Sequence, residues 1–239
     1  MKSRRATRHA ALLVAAVCAL APAAAGADPI IPNASFSLGY SGFTSSYAHM
    51  PYPGSSSPGL MYPEGTFTVG SNPGFVHDRW ASMGDHTTGD GGMLIVNGNR
   101  VANVTVWSAT VEVTSNTLYD FSAWAASTYW RSPSSLAFSI NGTILDTPLV
   151  LPSERRIWQQ FAAPWFSGDT TTAVLSLVNL NTEWNGNDFA LDDLALKTRP
   201  QVDEREFEDP EPVPEPGSTV LLLCAGLAGL AGMKTRFGR

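Results

Sequence analysis

Short runs in which hydrophobic and polar residues alternate occupy most of the chain, and this period of two predicts β-strands. Val104, Val106, Val111 and Val113 form one such series, which ends at a turn residue, Asn116. Further strands are predicted at 93–96, 118–124, 173–180 and 189–196. Many short strands with Gly and Asn turns and no intervening helices predict an all-β fold, an antiparallel β-sandwich.

One hairpin and one long loop stand out within this pattern. Leu136, Phe138 and Ile140 alternate before Asn141-Gly142, and Asn-Gly is the strongest short signal for a hairpin turn. By contrast, residues 39–65 are rich in Gly, Ser, Pro and Tyr and predict a long loop, which in a compact domain is usually functional or mobile.

The N-terminal segment 1–27 has the pattern of a secretory signal peptide. Basic residues come first, an apolar stretch runs from Ala10 to Ala21, and Ala25-Gly26-Ala27 forms a small-residue cleavage site. We therefore expect an N-terminal signal helix that is removed, so that the folded domain comprises residues 28–198.

The C-terminal segment changes in character twice. Residues 199–217 are acidic and rich in Pro, which predicts an extended linker. Residues 218–239 contain an apolar run, 220–233, in which a Gly preceded by Ala recurs every third residue. The run is short against the ~20 residues of a bilayer span, but flanking residues extend it. We expect a C-terminal membrane helix with a basic tail.

This ending resembles the PEP-CTERM sorting signal. The resemblance rests on Pro214, Glu215 and Pro216, followed in order by the apolar run and the basic cluster. It implies recognition by an exosortase processing enzyme in a Gram-negative bacterium. It also implies a membrane anchor through the C-terminal helix before processing, and then delivery to the cell surface or the exopolysaccharide matrix.

Cysteine and charge narrow the possible functions. Cys18 and Cys224 lie in the terminal segments, so an exported domain spanning 28–216 depends on its core, or on a metal, and not on disulfides. With eight Lys and Arg against 21 Asp and Glu, this part has a net charge of −13. Nucleic-acid binding is disfavoured, whereas cation binding is compatible with this charge.

Two acidic stretches are candidates for a cation site. Asp85 lies in the Gly-rich turn GDHTTGDGG, where carboxylates suit calcium, although a solvated turn with a capping Asp fits the pattern as well. Asp192 and Asp193 lie in FALDDLAL, where strand alternation puts Asp193 on the core face with Phe189 and Leu191. Either Asp193 lies beyond the core edge and binds a metal or backbone N–H groups, or a bulge shifts the register.

The stretches DHTTG and DFALDDLAL, with TLYDFSAW and LAFSINGTIL, resemble MAM domains and galactose-binding-like carbohydrate-binding modules. Both are jelly-roll sandwiches, so the resemblance implies that fold and a structural Ca²⁺. It makes Asp85 and Asp192 or Asp193 the expected ligands. MAM domains normally carry disulfides and this domain has no cysteine, which favours the bacterial modules.

Aromatic residues suggest where a sugar could bind. Tyr129 and Trp130 lie in a loop after a strand, and Trp184 lies among Asn residues, so these three form the predicted carbohydrate-binding platform. The alternative for any Trp is a place in the core, and we expect this of Trp107 and Trp124, which lie within strand patterns.

Signatures of catalysis do not occur in the domain. It contains no G-x-S-x-G, no H-E-x-x-H and no phosphate-binding loop. The leading hypothesis is a non-catalytic module that associates with extracellular polysaccharide. The alternatives are a structural matrix or adhesion protein with protein partners, and a glycoside hydrolase or lyase, which would need a pair of opposed carboxylates.

Overall fold

The structure is a computed structural model that describes residues 28, 30–145 and 148–200. The predicted signal peptide 1–27, the linker after Pro200, the motif at Pro214, Glu215 and Pro216, and the C-terminal helix all lie outside these residues. Within the described ranges, no helix combines the length and the apolar character that a membrane crossing requires.

Strands make up the regular structure of the described part. Their bounds are β1 (Ala48–His49), β2 (Thr66–Gly70), β3 (Met93–Asn97), β4 (Val104–Glu112), β5 (Leu118–Ser127), β6 (Ser135–Ile140), β7 (Thr143–Ile144), β8 (Leu149–Val150), β9 (Gln159–Phe166), β10 (Thr172–Asn179) and β11 (Asp188–Thr198). One short 3-10 helix, Pro73–Phe75, lies between β2 and β3.

The strands form two sheets. One has the order β1-β2-β3-β11-β5-β9, and the other has the order β4-β10-β6-β7, with β8 paired to β6. All pairings are antiparallel except β1 with β2. From β3 onward, successive long strands alternate between the two sheets, which is the winding of a jelly roll. The predicted all-β, antiparallel sandwich is therefore confirmed.

The turn between β6 and β7 shows how local chemistry sets the register. Asn141 and Gly142 have φ values of 52° and 82°, as a two-residue hairpin turn of the favoured hand requires. The hairpin predicted from this dipeptide is thus confirmed.

The main core lies between the two sheets. Phe121 of β5 contacts Phe138 of β6 with ring centroids 4.1 Å apart, and Trp107 of β4 lies 6.3 Å from Phe121. Trp107 is fully buried, as expected from its strand pattern. Burial of each such side chain contributes about 1.5–3 kcal/mol, so this layer stabilises the sandwich without disulfides.

A second apolar layer covers the outer face of the six-stranded sheet. Met93 and Ile95 of β3 point away from the main core and pack with Met61, Val76 and Trp80. Met61 lies in the connection between β1 and β2, and Val76 and Trp80 lie in the connection between β2 and β3. Because these two connections cover the sheet, β3 is buried on both faces, and a cleft can form between this cover and the ends of the strands.

Candidate functional site

A β-bulge lies in β11 at the position where the alternation pattern is in conflict. Asp192 pairs with Trp124 and Ala195 pairs with Ser122, so two residues, Asp193 and Leu194, face one on β5. Asp193 has a φ of 48°, and Leu194 is 3% exposed in the core. Of the two explanations for an Asp on the core face, the shifted register is therefore confirmed.

The bulge holds the loop that precedes β3. The carboxylate of Asp193 lies 2.6 Å from Nδ1 of His86 and accepts a hydrogen bond from the Thr87 hydroxyl. The backbone N–H of His86 donates to Oδ2 of Asp192 at 2.9 Å. The backbone N–H and the ring of His86 and the hydroxyl of Thr87 thus contact two neighbouring carboxylates, which hold the loop against β11.

Asp85 organises its own turn. Its carboxylate accepts hydrogen bonds from the backbone N–H of Thr88 at 3.0 Å and of Gly91 at 2.8 Å. Burial acts to raise the pKa of Asp85, but these hydrogen bonds outweigh it and hold the pKa below its ordinary value. The sequence allowed either a calcium site or a turn capped by Asp85, and these hydrogen bonds are those of the capped turn.

Asp85, Asp192 and Asp193, the three predicted metal ligands, therefore lie in or beside one loop. Each carboxylate already accepts hydrogen bonds from donors of the protein itself. Burial, with the charge of Asp193 adding to it, raises the pKa of Asp192 to about 6. Among the described residues there is no group of three or more His, Cys, Asp and Glu placed to hold a metal ion. The observed hydrogen bonds do not fit calcium ligation by these carboxylates, because a cation would have to displace the donors. Calcium binding stays a prediction.

Trp124 lies on the outer face of β5 and not in the main core. Its indole ring stacks on the imidazole of His86 with centroids 3.9 Å apart and an interplanar angle of 17°. The expectation that Trp124 belongs to the core is wrong, because Ala123 and Ala125, which alternate with it, are the residues that face the core.

An open pocket of ≈ 270 Å³ lies on the same outer face, at the start of β11. Three aromatic side chains, Tyr62, Tyr129 and Trp184, line it together with acidic and amide side chains that include Glu64 and Asp188. We call this site the aromatic pocket. Tyr62 and Trp184 are 53% and 63% exposed, so their rings are open to a ligand.

Two of the three predicted platform residues thus lie in one site. Tyr129 and Trp184 are 55 positions apart in the sequence, yet both line the aromatic pocket. Trp130 is 49% exposed but is not a lining residue, and the guanidinium of Arg131 lies 4.4 Å from its ring centroid. Sequence analysis did not predict Tyr62 as a binding residue, because it lies in the irregular segment that covers the sheet.

Buried amides hold the loop that carries Trp184. Asn181 donates to the carbonyl groups of Ser132 and Pro133 at 2.9 and 2.8 Å, and the side chains of Asn179 and Asn187 are bonded at 2.6 Å. Gly186 has a φ of 123°, and a Cβ there would lie 1.9 Å from the carbonyl oxygen of Arg131. Only glycine permits this approach, so the loop is fixed against the β5–β6 connection.

Asp188 lies at the inner end of the aromatic pocket and is 6% exposed. Its Oδ2 accepts a hydrogen bond of 3.1 Å from the indole N–H of Trp80, while Oδ1 has no hydrogen-bond partner among the described residues. Burial raises the pKa of Asp188 to about 8, even though the bond from Trp80 acts to lower it. The group is therefore an uncharged acid at neutral pH. Phe189 faces the core, so strand alternation places its neighbour Asp188 on the outer face of the sheet. The sequence around Asp188 does not show that distant residues cover this face and bury the carboxyl group.

His77 completes the inner wall. Its ring stacks on Trp80 with centroids 4.6 Å apart and contacts Tyr62 edge-on at 4.7 Å. Burial lowers the pKa of His77, so the imidazole is neutral at neutral pH. Glu64 is ion-paired with Arg100 at 3.5 Å.

Sequence comparison identifies the chain's C-terminal signal. Residues 212–236 match the PEP-CTERM protein-sorting motif. This confirms the resemblance carried by Pro214, Glu215 and Pro216. Comparison with curated proteins finds no match.

Three solved structures illustrate the overall likeness of the sandwich. The CBM22-1 xylan-binding domain of Xyn10C from Paenibacillus barcinonensis is 14% identical, with 70% of this chain and 93% of that chain covered and a TM-score of 0.43. A family 16 carbohydrate binding module is 14% identical over 70% and 98%, with a TM-score of 0.42. A cyclase from Fischerella sp. TAU is 11% identical over 74% and 100%, with a TM-score of 0.44. These likenesses are distant and include an enzyme, so function must be argued from the site itself.

Proposed function

We propose that this chain is an exported protein which an exosortase sorts to the cell surface or the exopolysaccharide matrix. There its β-sandwich binds polysaccharide without catalysis, through the aromatic pocket. The match of residues 212–236 to the sorting motif supports the first part, and the chemistry of the pocket supports the second.

The observation that carries carbohydrate binding is the set of aromatic rings around a polar interior. Tyr62, Tyr129 and Trp184 offer flat apolar faces on which the C–H side of a sugar ring can stack. Glu64 and Asn185 also line the pocket and can bond the hydroxyl groups of a sugar. Binding sites for small molecules typically combine an apolar wall with a few convergent polar groups in this way.

Replacing the exposed ring of the pocket tests this proposal. We expect Trp184→Ala to weaken binding to a glycan array or to isolated exopolysaccharide by about tenfold, the equivalent of 1.4 kcal/mol. Because Trp184 is 63% exposed, the variant should unfold at the same temperature as the wild type.

Trp130→Ala provides the matched control, since Trp130 is similarly exposed but does not line the pocket. Equal losses in the two variants would place sugar binding elsewhere on the surface. A wild-type protein that binds no glycan would contradict carbohydrate binding and favour a matrix protein with protein partners.

Catalysis is the second candidate, because two carboxyl groups, Glu64 and Asp188, line the same pocket. A glycosidase acid has a raised pKa, as Asp188 does. However, Oδ1 of Asp188 is buried and Oδ2 is bonded to Trp80, so neither oxygen is free to protonate a leaving group. Release of reducing ends by the wild type but not by Glu64→Gln would establish an enzyme.

A further inference from the structure

A second set of aromatic rings lies on the outer face of the six-stranded sheet, on the same face as the aromatic pocket. The indole of Trp124 stacks on the imidazole of His86 with ring centroids 3.9 Å apart, and Trp158 contacts His86 edge-on at 5.8 Å. We call these three residues the second aromatic group. All three are half-buried, so part of each side chain is open to a ligand.

The register of the sheet fixes the distance between this group and the pocket. Asp188 lies at the inner end of the pocket, and Asp192, further along β11, pairs with Trp124. At about 3.3 Å per residue, these two positions are roughly 13 Å apart along the strand. A single sugar ring in the pocket is too short to reach Trp124, whereas a short linear oligosaccharide can span both places.

The surface between the two places is apolar. Tyr129, which lines the pocket, and Trp158, which belongs to the second aromatic group, both pack against the apolar layer that covers β3. Between the positions of Asp188 and Asp192, the outer face of β11 and β5 carries Ala190 and Ala126, which pair with each other and are buried. No charged side chain of these two strands therefore interrupts this part of the face.

Polar groups accompany the rings of the second aromatic group, as they do in the pocket. Gln160 of β9 pairs with Trp124 and is exposed, so its amide lies beside the indole on the same face. Nδ1 of His86 contacts Asp193, and Nε2 has no hydrogen-bond partner among the described residues. An amide group and an imidazole nitrogen can both bond the hydroxyl groups of a sugar.

We propose that the second aromatic group is a further sugar-binding subsite, so that the protein binds the interior of a linear, extended polysaccharide chain. This inference rests on the proposed carbohydrate binding and adds the class of glycan. One ring of the chain stacks on Trp184 in the pocket, and a ring further along the same chain stacks on Trp158. Because the second contact is then intramolecular, it raises the affinity for a chain above that for a single sugar.

Oligosaccharides of increasing length test this inference. Linear β-1,4-linked series of glucose, xylose and mannose, from one to five units, are titrated into the purified protein and followed by calorimetry. In a series that binds, we expect affinity to rise with length until the chain spans both places. The longest member should bind at least tenfold more tightly than the disaccharide.

Variants at Trp158 separate a subsite from a structural role. Trp158→Ala should bind the disaccharide as the wild type does but lose the gain in affinity with length, because the longer chain no longer finds its second ring. Trp158→Phe keeps an aromatic ring and should retain most of the gain. Phe166→Ala is the matched control: Phe166 is an exposed aromatic residue of the same strand, but it lies at the far end of β9, so this variant should match the wild type at every length.

An affinity that does not change with length would overturn the second subsite. So would Trp158→Ala if it kept the full gain, or if it weakened the disaccharide as much as the longest chain. Absence of binding to all three series would overturn the linear-chain assignment, and binding of other array glycans that is lost in Trp184→Ala would then leave the proposed function standing. Absence of binding to these series and to every glycan of a broad array would overturn both.

Discussion

At the level of single residues, Asp188 shows how position outweighs residue type. The same residue at the surface would be ionised above pH 4, whereas here the cover of the sheet buries it against Trp80. Burial of this carboxyl group with one unpaired oxygen lowers the stability of the fold. Strain or unpaired polar groups of this kind concentrate at functional sites.

The raised pKa of Asp188 predicts an unusual pH dependence of stability. The folded state holds the proton up to about pH 8, while the unfolded state loses it near pH 4. Between these values the unfolded state binds fewer protons, so stability falls as pH rises, by up to about 1.4 kcal/mol per pH unit. Asp188→Asn is permanently neutral and should lack this slope.

Urea unfolding of both proteins from pH 5 to 9 measures the difference. We expect the free energy of unfolding of Asp188→Asn relative to the wild type to increase steadily up to about pH 8 and then to level off. Parallel curves would show that Asp188 is ionised in the folded protein and would contradict its raised pKa.

At the level of elements, the bulge in β11 joins a strand to the loop that precedes β3. The extra residue turns Asp193 out of the core while Leu194 takes the inward position, so both halves of the strand keep an apolar inner face. The two carboxylates freed in this way accept hydrogen bonds from His86 and Thr87. One irregularity therefore preserves the core and anchors a loop.

This junction also allows the calcium prediction to be tested. Asp192→Ala leaves the backbone N–H groups of His86 and Asp193 without their acceptor, and we expect a loss of about 1–3 kcal/mol in the free energy of unfolding. Asp90→Ala, in the same loop but exposed, should cost far less. If calcium is bound here, EDTA must lower the melting temperature of the wild type and not that of Asp192→Ala. Identical melting temperatures with calcium and with EDTA would contradict the calcium site.

At the level of the whole molecule, the two ends of the folded part meet. The carboxylate of Asp28, the first residue after the predicted cleavage site, accepts hydrogen bonds from the backbone N–H and hydroxyl of Thr198 at 2.7 and 2.8 Å. Asp188 and Thr198 are the two ends of β11, which at about 3.3 Å per residue places them roughly 30 Å apart. The aromatic pocket is thus remote from the point where the linker begins.

The sorting motif predicts where the chain is found in cells. Substitution of Pro214, Glu215 and Pro216 by Ala should leave the protein in the membrane fraction and deplete it from the surface and matrix, because the processing enzyme would no longer recognise it. Cell fractionation followed by immunoblotting measures this. Ala at Glu206 and Glu208, in the linker before the matched residues, is the control, and equal distributions of the two variants would contradict sorting through this motif.

Local patterns by themselves determined six long strands (β3, β4, β5, β6, β10 and β11), the Asn141-Gly142 hairpin, the all-β class and the C-terminal motif, but not β2 or β9. Each of these depends on residues close together in the chain, through side-chain alternation, turn geometry or a contiguous signal. The tertiary structure alone decided that β11 is bulged, that Trp124 faces outward, and that Tyr62, Tyr129, Trp184 and Asp188 share one pocket. Alternation tells which face of a strand a side chain occupies, but what covers that face is determined by segments distant in sequence, and that cover determines burial, charge state and access.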